Sequence, residues 1–92
     1  MPYIKRNQRP KFDNDIKNIV KNLKKSVDID NIVSMGEVNY VISSIVWELF
    51  RSNVSYKNGN NLMGALECAK LEFYRRQLGK YEDCKILEND DI

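Results

Sequence analysis

The stretch GEVNYVISSIVWELFRS, beginning at Gly36, constrains the fold of this chain more than any other. Val38, Val41, Ile42, Ile45 and Leu49 recur at helical spacing, so a helix is expected from about Gly36 or Glu37 to Ser52. The β-branched valines and isoleucines make a strand the main competitor, but a periodic segment of this length favours helix. Tyr40 and Trp47, seven residues apart, fall together on the opposite side, where a helix lying on the surface of a small domain would be polar. A helix that is apolar on both sides needs cover on both sides.

Two further segments carry the same period. Phe12, Ile16, Ile19, Val20 and Leu23 form one stripe of a helix expected over Lys11 to Lys25, with Lys17, Lys21, Lys24 and Lys25 on the other side. The connection SVDIDNIVSMGE is rich in turn-forming residues and has room for one helical turn. After the breaker NVSYKNGNN, a third helix is expected to start with Asn60 or Asn61 as N-cap and to run to about Leu78, with Gly79 as its C-terminal stop. Leu62, Leu66, Ala69 and Phe73 make its main stripe. Met63, Leu71, Tyr74 and Leu78 gather on a second face around Glu67. The expected fold is therefore all-α: one small domain, residues 1–92, of three principal helices near 11–25, 37–52 and 60–78. It divides into a basic N-terminal arm (1–10), a helical core (11–80) and an acidic C-terminal tail (81–92), with the two arms extended.

Ninety-two residues lie near the lower end of what one core can stabilise by itself. Two of three helices also carry apolar residues on both sides, and self-association is the economical way to cover them. The expected contact is a homo-oligomer, most simply a dimer, using Tyr40, Trp47, Leu71, Tyr74 and Leu78. The alternative is that the terminal arms fold back over those faces. Charge is polarised along the chain. Residues 1–25 hold eight Lys or Arg against two Asp, and residues 81–92 hold five Asp or Glu against one Lys. Such ends attract each other within or between subunits, or serve separate partners.

The sequence contains no histidine, which removes the usual general base near neutral pH and every Ser-His or Cys-His nucleophile pair. Cys68 and Cys84 are too few for a disulfide scaffold and lack metal-ligand spacing, so buried thiols are expected. No metal or cofactor is expected. Asp28 with Asp30, and Glu88 with Asp90 and Asp91, read as loop and tail polarity rather than as a cation site. No apolar run is long enough to span a bilayer and no export signal follows the first residues, so a cytoplasmic protein without a membrane partner is expected.

Two residue sets are suited to an anionic ligand. Tyr3, Lys5, Arg6 and Arg9 place an aromatic ring among cations, a minimal combination for a nucleobase and phosphate, although the same residues suit an arm that pairs with the acidic tail. In KLEFYRR, Tyr74 precedes Arg75 and Arg76, and Glu72 lies three and four residues before the two arginines, so an ion pair with Glu72 accounts for one of them. Adjacent helical positions diverge by about 100°, which argues against both arginines serving one shallow pocket of the same chain. The glycines form no phosphate-binding loop, and neither the overall charge nor a helix-turn-helix pattern points to duplex DNA.

The opening MPYIK, the central GEVNY, the run NLMGALECAKLEFYRR and the ending YEDCKILENDD together resemble a group of short uncharacterised proteins of bacteria, prophages and phages. The resemblance covers nearly the whole chain. It implies a mostly helical protein with an accessory role and supplies no catalytic residue. Small phage proteins of this kind commonly act by stoichiometric binding of a host protein or of an immune nucleotide signal. The expected function is thus a non-catalytic, oligomeric protein that sequesters a cyclic nucleotide or related anionic molecule. The alternatives are a protein-binding or structural accessory module and, behind it, a DNA-binding regulator.

Overall fold

Three principal helices, as the apolar spacing requires, build the all-α chain, and the computed structural model describes residues 3–89. No strand occurs among the described residues, so the strand alternative for the Val/Ile-rich segment falls away. The backbone forms two units, Tyr3–Val54 and the residues from Ser55 onward. Asp90 and Asp91 of the acidic tail, and Pro2 of the basic arm, lie outside the described residues.

In the first unit, helix α1 is Pro10–Leu23. Proline suits its first position because that N–H would have no helical partner in any case. A 3-10 turn, Lys24–Ser26, unwinds the end of α1 before Val27 becomes extended. The basic arm is not wholly extended, since Arg6–Gln8 winds into a 3-10 turn ahead of α1. The connection after Val27 is ordered by one carboxylate. Asp28 accepts from the backbone N–H groups of Asp30 at 2.8 Å and Ile32 at 3.0 Å, while Asn31 takes the left-handed φ of 63° that asparagine tolerates. Asp28 is thereby a loop former.

Helix α2, Met35–Arg51, starts on the N-cap Ser34, whose Oγ accepts from Glu37 N–H at 3.4 Å. It ends where Ser52 Oγ donates to the Leu49 carbonyl at 2.6 Å. Between α1 and the start of α2 lies a cleft of about 290 Å³ lined by Ile19, Leu23, Gly36, Tyr40 and Val41. Ile19, Leu23 and Val41 are half-buried there, whereas Phe12, Ile16 and Val20 of the same α1 stripe stay exposed.

The second unit is one helical rod with a fault in it. Helix α3, Tyr56–Phe73, begins five residues before the expected N-cap, on Ser55, whose hydroxyl accepts from Asn58 N–H at 3.1 Å. The cap stabilises by about 1 kcal/mol, enough to offset the similar propensity cost of carrying Gly59 in the first turns. The Asn-Gly breaker is thus absorbed into the helix. Nor does Gly79 stop the helix. A π-helical turn, Tyr74–Leu78, joins α3 to helix α4, Gly79–Asn89, so the segment read as an extended acidic tail is helical as far as Asn89.

No residue is buried among those described. Cys68 and Cys84 are both exposed, against the expectation of buried thiols.

Candidate functional site

The π turn is where the suspected site residues sit. In such a turn the N–H of one residue bonds the carbonyl five residues back, which inserts one extra residue into the helix, and Gly79 donates in this way to Tyr74. Glycine is required by space rather than by torsion. Its φ of −60° and ψ of −42° are ordinary helix values, but a Cβ at this position would lie 2.9 Å from the Tyr74 carbonyl oxygen. The extra residue also changes which side chains share a face. Residues eight apart in a regular helix differ by about 80°, and with one residue absorbed in the bulge they align as if seven apart. Tyr74 accordingly meets Glu82, its hydroxyl donating to Oε1 at 2.6 Å.

That bond raises the pKa of Tyr74 above 10.0, first through the hydrogen bond to Glu82 and then through repulsion between a phenolate and the Glu82 carboxylate, with Asp83 adding to it. A folded-state value above the unfolded one gives a stabilisation present below pH 10 and lost as the pH rises through the folded value. Alkaline titration followed by tyrosinate absorbance, wild type minus Tyr74→Phe, is expected to show Tyr74 ionising above 10.0. A Tyr74 step at the ordinary value would mean that the bridge does not persist in solution.

Glu72 lies two residues before the π turn and is the least exposed acid of this region, its side chain 17% accessible. Both arginines reach it. Arg75 places one guanidinium nitrogen 2.9 and 3.0 Å from the two carboxylate oxygens, and Arg76 stands 3.7 Å from Oε2. Divergent backbone positions therefore do not prevent convergence, because the long arginine stems swing back to the same acid. Two guanidiniums thus converge on one carboxylate beside the half-exposed ring of Tyr74.

Beyond Arg75 a shallow groove of about 710 Å³ continues over Tyr74, Tyr81, Lys85 and Ile86, with Glu82 and Asp83 on its wall. Lys85 lies over the Tyr81 ring, 5.6 Å from its centroid. The groove lining carries charges of both signs, Arg75 and Lys85 with Glu82 and Asp83, and Lys85 pairs with Glu88 at 3.0 Å. Sequence reasoning missed Tyr81, Lys85 and Ile86 because it ended the helix at Gly79. Their i, i+4 and i+5 spacing was visible once the helix was allowed to continue.

The other expected half of the site belongs to the first unit. Arg9 sends Nε and a terminal nitrogen to the Ile4 carbonyl, each at 3.3 Å, and the backbone N–H of Lys5 donates to Gln8 Oε1 at 3.2 Å. Tyr3, Lys5 and Arg6 are exposed around this turn. Tyr3, Lys5, Arg6 and Arg9 thus cluster locally in one unit, and Tyr74, Arg75 and Arg76 in the other. The expected contact residues are likewise divided: Tyr40 and Trp47 are 73% and 64% exposed on α2, and Leu71, Tyr74 and Leu78 are exposed on the second unit. Among the described residues no group of three potential ligands could hold a metal ion, and no helix is long and apolar enough to cross a membrane.

The fold and site define a small all-α protein whose polar chemistry is concentrated at a π-helical fault. The chain belongs to the family described as Domain of unknown function (DUF6899), whose model matches residues 1–92. No curated protein and no solved structure matches it.

Proposed function

We propose that this protein is a non-catalytic binding protein, working as a homo-oligomer in the bacterial cytoplasm, that sequesters a small anionic, nucleotide-like molecule. The sequence resemblance suggests a phage-encoded accessory protein and, as ligand, an immune nucleotide signal. The observation that carries the reading is the Glu72–Arg75–Arg76 cluster with Tyr74 beside it. With both guanidiniums largely in solvent, screening keeps the contribution of these ion pairs small. A phosphate that accepts two charge-assisted bonds from a guanidinium is the stronger partner and can take an arginine from Glu72. The neighbouring tyrosine supplies a stacking surface for a base.

The test is a thermal-shift panel of cyclic nucleotides, linear nucleotides and inorganic phosphate, followed by chemical recovery of the ligand. A ligand at 100 times its Kd adds about 2.7 kcal/mol, which for a domain of this size moves Tm by roughly 10–20 °C. Intact recovery of a nucleotide that gives such a shift is the expected result. A panel with no shift defeats the reading, and a ligand returned chemically altered defeats the word non-catalytic. The exposed aromatic pair Tyr40 and Trp47 favours a second reading, a module that binds another protein. Such a module gives no shift with any member of the panel.

A further inference from the structure

We infer that α1 is an interfacial helix, whose apolar edge of Ile16 and Val20 and lysine row of Lys17, Lys21 and Lys24 lie on an anionic lipid bilayer. This surface belongs to the first unit and is independent of the ligand proposed for the arginine pair of the second. Ile19 and Leu23 of the α1 stripe line the cleft beside α2, whereas Ile16 and Val20 are 55% and 41% exposed and form an open ledge. At about 100° per residue the three lysines fall in one row along that ledge. The five side chains together line a shallow groove of about 430 Å³.

The positive charge of this region is uncompensated. Residues 1–25 hold eight of the fifteen lysines and arginines, and none of the eight takes part in an ion pair among the described residues. The two acids of α1 do not neutralise the row. Asp13 stands in the first turn, where the helix dipole favours it, and is not part of the groove. Asp15 falls across the helix from the lysines.

Chemistry selects the occupant. A helix with a one-sided apolar stripe, a lysine-rich polar side and low mean hydropathy lies in the plane of a membrane surface. The ammonium groups reach lipid phosphates while their four-carbon stems extend the apolar ledge. Spanning is excluded for α1, which rises only about 21 Å and is charged, but spanning and surface binding are separate properties. The expectation of no membrane partner rested on the first alone. A nucleic acid would use the lysines and leave the ledge idle, since isoleucine and valine offer a base no ring and Phe12 already has Lys11 over it at 5.2 Å. A protein partner needs a standard-size patch of roughly 800 Å², and a ledge of two aliphatic residues falls far short of it. A fluid bilayer needs no matching shape.

The experiment is flotation of the full chain with vesicles of phosphatidylcholine alone and of phosphatidylcholine mixed with phosphatidylglycerol, at low and at high salt. The expected result is flotation with the mixed vesicles only, and release by salt. Each lysine at an anionic surface strengthens partitioning by about fivefold, so the combined Lys17→Gln, Lys21→Gln and Lys24→Gln variant should lose well over tenfold. Ile16→Ser with Val20→Ser keeps every charge and should also lose binding, which a purely electrostatic attraction would not. Lys57→Gln, on the second unit, should float as the parent does. No flotation with the mixed vesicles at low salt overturns the inference, even if an acidic protein or an RNA is bound instead. Equal flotation with both vesicle types overturns it too, as does parental binding by the lysine variant or by the ledge variant, each first shown to keep its helical circular dichroism. Should either variant fail to fold, the vesicle and salt series on the parent chain decides alone. The nucleotide panel is read without vesicles, so failure of this surface and failure of the proposed function are seen separately.

Discussion

Gly79→Ala is expected to preserve the helical content and to abolish the Tyr74–Glu82 bridge. The added Cβ would lie 2.9 Å from a backbone oxygen, which has no flexible side chain to swing aside, so the π-type bond from Gly79 to Tyr74 cannot remain as it is. The cheapest escape is to expel the extra residue and close a regular α-helix. Alanine favours that outcome by about 1 kcal/mol over glycine in a helix interior. Circular dichroism at 222 nm should therefore stay level or rise, while α4 turns by about 100° relative to α3, one residue's worth of helix rotation. After that rotation Glu82 is about 80° from Tyr74 instead of nearly eclipsed. The raised pKa of Tyr74 should fall back toward 10.0. The groove would also divide, since Tyr74 and Arg75 open the π turn while Tyr81, Lys85 and Ile86 follow it. A variant that keeps the delayed Tyr74 ionisation would show that the fault does not depend on the missing Cβ.

The same glycine marks the limit of what the sequence discloses. Helical period alone located α1, α2 and α3, because each carries apolar residues at spacings that no strand satisfies over such a length. The second apolar face on α2 was equally legible, and Tyr40 and Trp47 do stand exposed on it. Boundaries failed where two residues competed for one role. Ser55, Asn60 and Asn61 are all acceptable N-caps, and the earliest one wins because it lets five more residues join the helix. Gly79 failed differently. A glycine after an apolar run usually supplies a left-handed φ, but here it has a helical φ and is needed because a carbonyl approaches it. That approach comes from residue 74 through a turn whose period no local pattern announces. Glu72 was visible as the partner of one arginine and proved to hold both, because side-chain reach outweighs the angle between neighbouring Cα positions.

Charge reversal at Arg75 or Arg76 is expected to weaken binding of the anionic ligand by more than tenfold, that is by more than 1.4 kcal/mol. The fold should tolerate it. Arg75 and Arg76 are 69% and 54% exposed, and pairs at such exposure contribute a few tenths of a kcal/mol once solvent screening is counted. A glutamate in either position would face Glu72 and add a repulsion of similar size. The two positions should not be equivalent. Arg75 makes the closer contact with Glu72 and also borders the groove, so its reversal removes a groove cation as well as half of the pair. Glu72→Gln supplies the opposite test. It releases both guanidiniums from their shared acid, which should tighten binding of a phosphate-bearing ligand and make it more salt-sensitive. Lys21→Glu, on the exposed side of α1 in the other unit, is the charge control and should change affinity little. Each variant is first checked for helical content and oligomer mass, because an arginine used only to join subunits would lose ligand indirectly. If folded and correctly assembled reversals at both arginines bind as the parent does, and Glu72→Gln binds no more tightly, the ligand lies elsewhere and the π turn is a structural joint.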